Sequence, residues 1–256
     1  MKITSLLENT THRADMGTEH GLSLFIETKR HKILFDMGQS EQFAKNAAAL
    51  GITLSAVDIA VLSHGHYDHG GGMRRFLLEN DRAPVYLQKD AFLPHYHGEE
   101  RYIGLDTDLE NESRVIRVST SLRIDGELSL HLCDWHVPSS LSGCLTEQTR
   151  EGFIPDDFRH EQYLLIEEEG KRVLISGCSH AGILNIVERF SPDFLIGGFH
   201  FFHTPIGGAL ADIAKKLNAY PTEYYTCHCT GIEQYAFLKE FMPRLRYLSC
   251  GESIIV

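Results

Sequence analysis

The sequence predicts a single α/β domain, and three observations carry that prediction. The 256 residues suit one large domain or a domain with a modest insertion. A strand-rich opening, then helix and strand, recurs in the same order later, which reads as two β/α halves without a short tandem repeat. The composition, 43% hydrophobic and 23% charged, is that of a globular chain able to form a core.

Taken in order, Ile3 to Leu7 reads as a strand. Leu22 to Thr28 and Lys32 to Asp36 flank a polar Lys-Arg-His turn and read as a hairpin. Asp36-Met37-Gly38-Gln39-Ser40 breaks the pattern. Phe43, Ala47 and Leu50 then recur at helical spacing until Gly51 ends the helix. Ile59 to Leu62 is a short buried strand, Gly70-Gly71-Gly72 opens a helix through Leu78, and Val85 to Gln88 is again a strand. From Gln162 the rhythm resumes. Tyr163–Glu167 and Arg172–Ser176 form a hairpin, Ile183–Phe190 a helix, Phe194–Gly197 a strand and Ala209–Leu217 a helix. Glu223–Cys227 is a strand, Ile232–Phe241 a helix, and Arg246–Ser249 with Ser253–Val256 are strands.

Residues from about 90 to 158 behave differently. Polar and turn residues, among them Pro94, Gly98, Gly104, Pro138, Gly143 and Pro155, dominate, with short strands expected only at Arg114–Val118 and Glu127–Leu132. A stretch of that length inside a compact domain is usually functional or disordered. It is expected to be an insertion that forms a cap and sets substrate size. His95, His97, His131 and His136 within it are expected at the surface. Trp135, with Tyr96 and Tyr102, offers a flat face for an aromatic substrate.

Charge excludes one class of partner. The formal net charge is −11 and no basic block occurs, whereas binding a phosphate backbone needs clustered Lys and Arg. No nucleic acid partner is expected. The opening MKITSLLENT lacks a signal-peptide core and no apolar run approaches a membrane span. The six cysteines are too few for a disulfide scaffold. A cytoplasmic protein with reduced thiols, a small-molecule substrate and no membrane contact is expected.

His64, His66, Asp68 and His69 fall in one loop directly after a buried strand. Imidazoles at i and i+2 converge on one cation when the loop curls, while Asp68 and His69 point to a second. Gly65 and the glycines after His69 permit the sharp backbone this requires. The fragment His64-Gly65-His66-Tyr67-Asp68-His69 resembles the H-x-H-x-D-H motif of the metallo-β-lactamase superfamily, which implies an αββα sandwich with metals at one edge. LSHGHYDHGGG, ISGCSHAGI, GGFH and HCTG together resemble one subgroup, the dihydropteroate-synthase-like metallo-hydrolases, some of which are assigned to methanopterin biosynthesis.

That resemblance implies two divalent metal ions, zinc first and manganese or iron as alternatives. His64 and His66 would hold one and Asp68 and His69 the other, with His180 and His228 completing the shells. The chain departs from the family pattern at Cys178, where the usual motif has Asp. Either Cys178 or His180 could ligate, and His180 is favoured because imidazole suits a hydrolytic zinc or manganese site. The family's third histidine has no clear match, which leaves His160 and Glu161 as weaker ligand candidates. Asp36 and Gly38 shape the floor, where a carboxylate can hold a ligand histidine. Asp68 and His200 are the candidates for catalytic roles; His200 could donate a proton, orient a substrate phosphate or carboxylate, or act in a supporting shell. The implied activity is hydrolysis of a small anionic ester by a metal-bound hydroxide. The alternatives are condensation of a dihydropterin pyrophosphate with an arylamine, and non-catalytic metal-dependent ligand binding. An oxygen-reducing diiron protein is disfavoured, since that branch usually has Glu where His66 stands and carries a flavin domain.

Overall fold

In the computed structural model, which describes residues 1–138 and 141–256, the chain builds three sheets. In chain order the strands are β1 Lys2–Leu7, β2 Ser23–Glu27, β3 Lys32–Phe35, β4 Ile59–Val61, β5 Val85–Gln88, β6 His95–His97, β7 Arg101–Tyr102, β8 Val115–Val118 and β9 Leu122–Arg123. They continue with β10 Leu128–Leu132, β11 Leu145–Thr149, β12 Gly152–Pro155, β13 Gln162–Glu168, β14 Lys171–Ile175, β15 Phe194–Gly197, β16 Glu223–Thr226, β17 Leu245–Tyr247 and β18 Ser253–Ile255. The helices are α1 Gln42–Ala49, α2 Tyr67–Gly70, α3 Met73–Glu79, α4 Ile183–Phe190, α5 Gly208–Asn218 and α6 Ile232–Lys239.

The first large sheet runs β18-β1-β2-β3-β4-β5-β8, the second β17-β16-β15-β14-β13-β10-β9. Their alternating side chains explain the layering. On the inner faces Ile26, Ile33 and Phe35 of the first sheet meet Leu130, Leu164 and Ile175 of the second. On the first sheet's outer face Leu34, Ala60 and Val85 pack against Phe43 of α1 and Phe76 of α3. On the second sheet's outer face Leu165, Leu174 and Leu195 pack against Ile186, Leu210 and Leu238 of α4, α5 and α6. The result is the helix–sheet–sheet–helix sandwich that the resemblance implied. Each fully buried Leu, Ile or Phe stabilises it by about 1.5–3 kcal/mol.

The stretch 90–158 divides. β8 pairs in parallel with β5, and β10 pairs with β13, so both belong to the large sheets. Only β12-β11-β6-β7 stands apart, as a small antiparallel sheet. Ser139 and Ser140 of that stretch lie outside the described residues. Among the described residues no helix is long and apolar enough to cross a membrane.

Candidate metal centre

Parallel pairing makes the site. β3 and β4 run parallel in the first sheet, and β14, β15 and β16 in the second. Asp36 follows β3, the His64–His69 loop follows β4, Cys178 and His180 follow β14, His200 follows β15 and His228 follows β16. Side chains at the carboxyl ends of parallel strands share one edge, so residues remote in sequence converge there on short loops. The backbone is bent to do so: Asp36, Phe158, Ser179, His200 and His228 all have φ between 48° and 59°, the left-handed region that non-glycine residues enter at a cost. Gly65 answers a different need. A Cβ there would sit 2.2 Å from the Ala91 carbonyl oxygen.

Hydrogen bonds fix which nitrogen of each imidazole carries its proton. Buried Asp36 accepts from the Ser63 amide at 2.7 Å and the Ser63 hydroxyl at 2.8 Å. With its proton given to Asp36, the Ser63 oxygen accepts from His64 Nδ1 at 2.7 Å. Asp36 also takes the His69 Nδ1 proton at 2.7 Å. At the other end, Asn9 Oδ1 accepts from His228 Nδ1 at 2.8 Å. The Nε2 atoms of His64 and His228 are thereby left as lone pairs, and that of His69 would become one when a cation displaces its second proton. Those of His64 and His228 are buried without a hydrogen-bond partner, as are both nitrogens of His180.

These lone pairs converge. His69 Nε2 lies 3.1 Å from Cys178 Sγ and 3.7 Å from Asp68 Oδ2, and His228 Nε2 lies 3.4 Å from the same carboxylate oxygen. His64, Cys178 and His180 form one group of donor atoms mutually within 4.8 Å, and His69, Cys178 and His228 form another. Donor atoms that face one another in a buried site can hold a cation between them, and the set of imidazole, cysteine sulfur and carboxylate fits a divalent metal. Electrostatics sorts these groups by charge. Burial first, then neighbouring imidazoles, push His64 and His180 well below the ordinary histidine range, which keeps them neutral. Burial opposes charge on His69, yet Asp36 and Asp68 push it up to about 9. Burial alone would raise Asp68, but His69, His20 and His228 hold it well below the usual carboxylate range.

The sequence-predicted residues fall into two sets. His64, His66, Asp68, His69, Cys178, His180 and His228 all come together, buried. Cys178 stands in both donor groups and His180 in one of them. The ring nitrogens of His160 and the carboxylate of Glu161 are engaged in hydrogen bonds. His160 Nδ1 accepts from the Gly65 amide at 2.9 Å. Glu161 receives the His180 and Ala181 amides, each at 2.9 Å, and the Tyr163 hydroxyl at 2.7 Å. It braces the His180 loop from below. His200 is on the exposed rim, its ring 4.2 Å from that of His180. Gly38 donates its amide to Leu22, on the floor beside Asp36.

Two expectations are corrected. His95 was placed with the surface histidines, but it is completely buried beside Asp156, because β6 tucks against the metal loop. His97 and His136 are exposed and His131 half-buried. Trp135 is no open platform, since its ring stacks on buried Tyr163 with Arg189 over it, and Tyr96 packs against Tyr102 and Phe153. Sequence reasoning also missed His20, whose Nε2 lies 3.2 Å from Asp68, and Asn9, Asp156 and Cys229. The i to i+4 spacing of Asp156 and His160 was a visible signal; His20 had none.

Comparison with known proteins closes the argument. The metallo-β-lactamase superfamily model matches residues 16–225. An uncharacterised protein of Methanocaldococcus jannaschii is 30% identical, over 90% of this chain and 91% of its own. The 7,8-dihydropterin-6-methyl-4-(β-D-ribofuranosyl)-aminobenzene-5′-phosphate synthase of the same organism is 26% identical, over 99% and 96%. A crystal structure described as a metal-dependent hydrolase of the β-lactamase superfamily aligns with a TM-score of 0.84 at 30% identity, covering 100% of this chain and 99% of that one. This chain belongs to the metallo-β-lactamase superfamily, whose members are generally metal-dependent hydrolases.

Proposed function

We propose that the protein is a dinuclear metal-dependent hydrolase of a small anionic substrate, a phosphoester or related electrophile, working in the cytoplasm. One observation carries the reading: Cys178 Sγ is shared by the His64–His180 and the His69–His228 donor groups, as a ligand between two ions would be. His64, His66 and His180 would hold one ion, and Asp68, His69 and His228 the other. Thiolate with several imidazoles favours zinc over harder metals. Divalent metals bound there supply a Lewis acid and a water acidic enough to react near neutral pH. The chain contributes the rest. Asp36, Ser63 and Asn9 hold the imidazoles in their ligating tautomers, and Asp68 supplies a carboxylate kept ionised by His69, His20 and His228. His200, on the rim, can donate one to a leaving group or hold a substrate oxyanion. Local cations outweigh the negative net charge for an anionic substrate.

A second reading is favoured by the full-length relationship to the M. jannaschii synthase: condensation of a dihydropterin pyrophosphate with an arylamine, the metals binding the departing pyrophosphate. Metal analysis of protein purified without added metal, followed by assay of a phosphodiester panel and of that condensation, separates them. Two metals per chain with phosphodiester turnover supports the hydrolase. Condensation with pyrophosphate release overturns it for the transferase. Neither activity, with tight ligand binding, leaves a metal-dependent binding protein.

A further inference from the structure

We propose that Asp156, carried in by the segment after β12, is a positioning residue for the metal ligand His66, held in place by His95 and His160. The inference rests on the reading of His66 as a ligand. All four side chains are buried. Asp156 Oδ2 lies 3.0 Å from His95 Nδ1, 3.2 Å from His160 Nε2 and 3.9 Å from His66 Nε2, while Oδ1 accepts the Phe158 amide at 2.8 Å.

The same four residues have donor atoms mutually within 4.8 Å, so a further metal ion is the competing account. Proton bookkeeping decides between them. The Gly65 amide donates to His160 Nδ1 at 2.9 Å, so the proton of neutral His160 sits on Nε2 and points at Asp156. If Nε2 took a cation while Nδ1 took that hydrogen bond, the ring would carry no proton and would be an imidazolate. His95 Nδ1 addresses the same carboxylate oxygen. Asp156 is therefore clamped by two N–H donors, and the cluster is a fixed anion rather than an ion cage.

His66 is the member without a hydrogen bond: its Nε2 is buried and unpartnered. Its ring packs against His64 and His180, centroids 4.5 and 5.0 Å away. A His66 that gives Nδ1 to a cation beside His64 carries its proton on Nε2, and Asp156 is the acceptor within reach. A carboxylate behind a ligating histidine fixes its tautomer and raises its basicity. The small sheet thus contributes to the metal centre without supplying a ligand.

The test combines metal affinity, by competition with a chromogenic chelator, with imidazole nitrogen shifts by long-range ¹⁵N NMR. Wild-type zinc-loaded protein should show His66 protonated on Nε2. Asp156→Asn should weaken one equivalent of zinc by about 10–100-fold and leave the other nearly unchanged, and Asp156→Glu should recover part of the loss. A His66 proton found on Nδ1 overturns the proposal, and that measurement needs no variant to fold. Zinc binding by a folded Asp156→Asn protein equal to wild type also overturns it, as does an additional zinc equivalent removed by His95→Ala. Failure of the ligand reading itself looks different: His66→Ala would then bind zinc normally.

Discussion

At the scale of single residues, Cys178, which stands in both donor groups, makes a sharp prediction. Cys178→Ala should lose at least one of two metal equivalents by mass spectrometry, because both donor groups lose a shared atom. Cys178→Asp should keep both while shifting preference from zinc toward manganese, since a carboxylate is the harder ligand. Full metal content in Cys178→Ala would remove the thiolate from the shell. Asp36 is the second such residue. Asp36→Ala leaves the Ser63 amide and hydroxyl and His69 Nδ1 without their acceptor in a site with no water access, a loss of about 3–5 kcal/mol. A chemical-denaturation midpoint close to wild type would contradict that. The donor side chains of the His64–His69 loop are legible as a cluster because they are adjacent in sequence and end a buried strand. Cys178 and His180 were legible only as alternatives, because two residues of spacing cannot show which side chain turns inward. Asp156 and His95 were not legible as a pair, because 61 residues separate them.

Elements were legible in proportion to their periodicity. Ile183–Phe190 alternates apolar and polar residues at helical spacing and forms α4 over the same span. Phe194–Gly197, a continuous apolar run, is β15. β11, with sequence LTEQT, and β7, two residues long, show no alternation; their pairing comes from neighbouring strands, and sequence pattern alone could not reveal it. Gly65 tests how elements are spaced. In Gly65→Ala the new methyl must push the metal loop from the Ala91 carbonyl, at a cost of about 1–3 kcal/mol, read as a lowered thermal midpoint; an unchanged midpoint would mean the loop yields freely. The turn before β10 makes a pH prediction. Burial would raise Asp125, but His31, the Glu127 and Leu128 amides and Arg30 outweigh it and hold its carboxyl below the usual range. A depressed folded value stabilises above the unfolded pKa of about 3.9 and is lost as pH falls through the folded value. Asp125→Asn should therefore cost about 1–2 kcal/mol at pH 7, and the gap from wild type should narrow steadily below about pH 4. A gap that stays constant in urea titrations down to pH 2.5 would rule out the charge as its source.

For the whole molecule, the metal centre ties together parts that folding must first assemble. Its residues run from Asn9, behind His228, through Asp36 and Cys178 to the end of β16. Binding is therefore linked to folding. At free zinc about 1,000 times the dissociation constant, metal adds about 4 kcal/mol, so a chelator should lower Tm by about 10 °C at this chain length. A shift below about 2 °C by calorimetry would show that metal does not stabilise the fold. The small sheet has a dynamic consequence. β6 carries His95 and β12 leads into Asp156, which pairs with His160, the ring that also takes the Gly65 amide of the His64–His69 loop, so the sheet cannot swing as one hinged body without unpairing a buried carboxylate. Amide hydrogen exchange should then grade across it, slow along the β6–β11 ladder and fast in exposed β7 and β12, rather than uniformly fast as in a mobile flap. Substrates would be sorted by the fixed contour of a standing wall, with no closing motion to reward the right one.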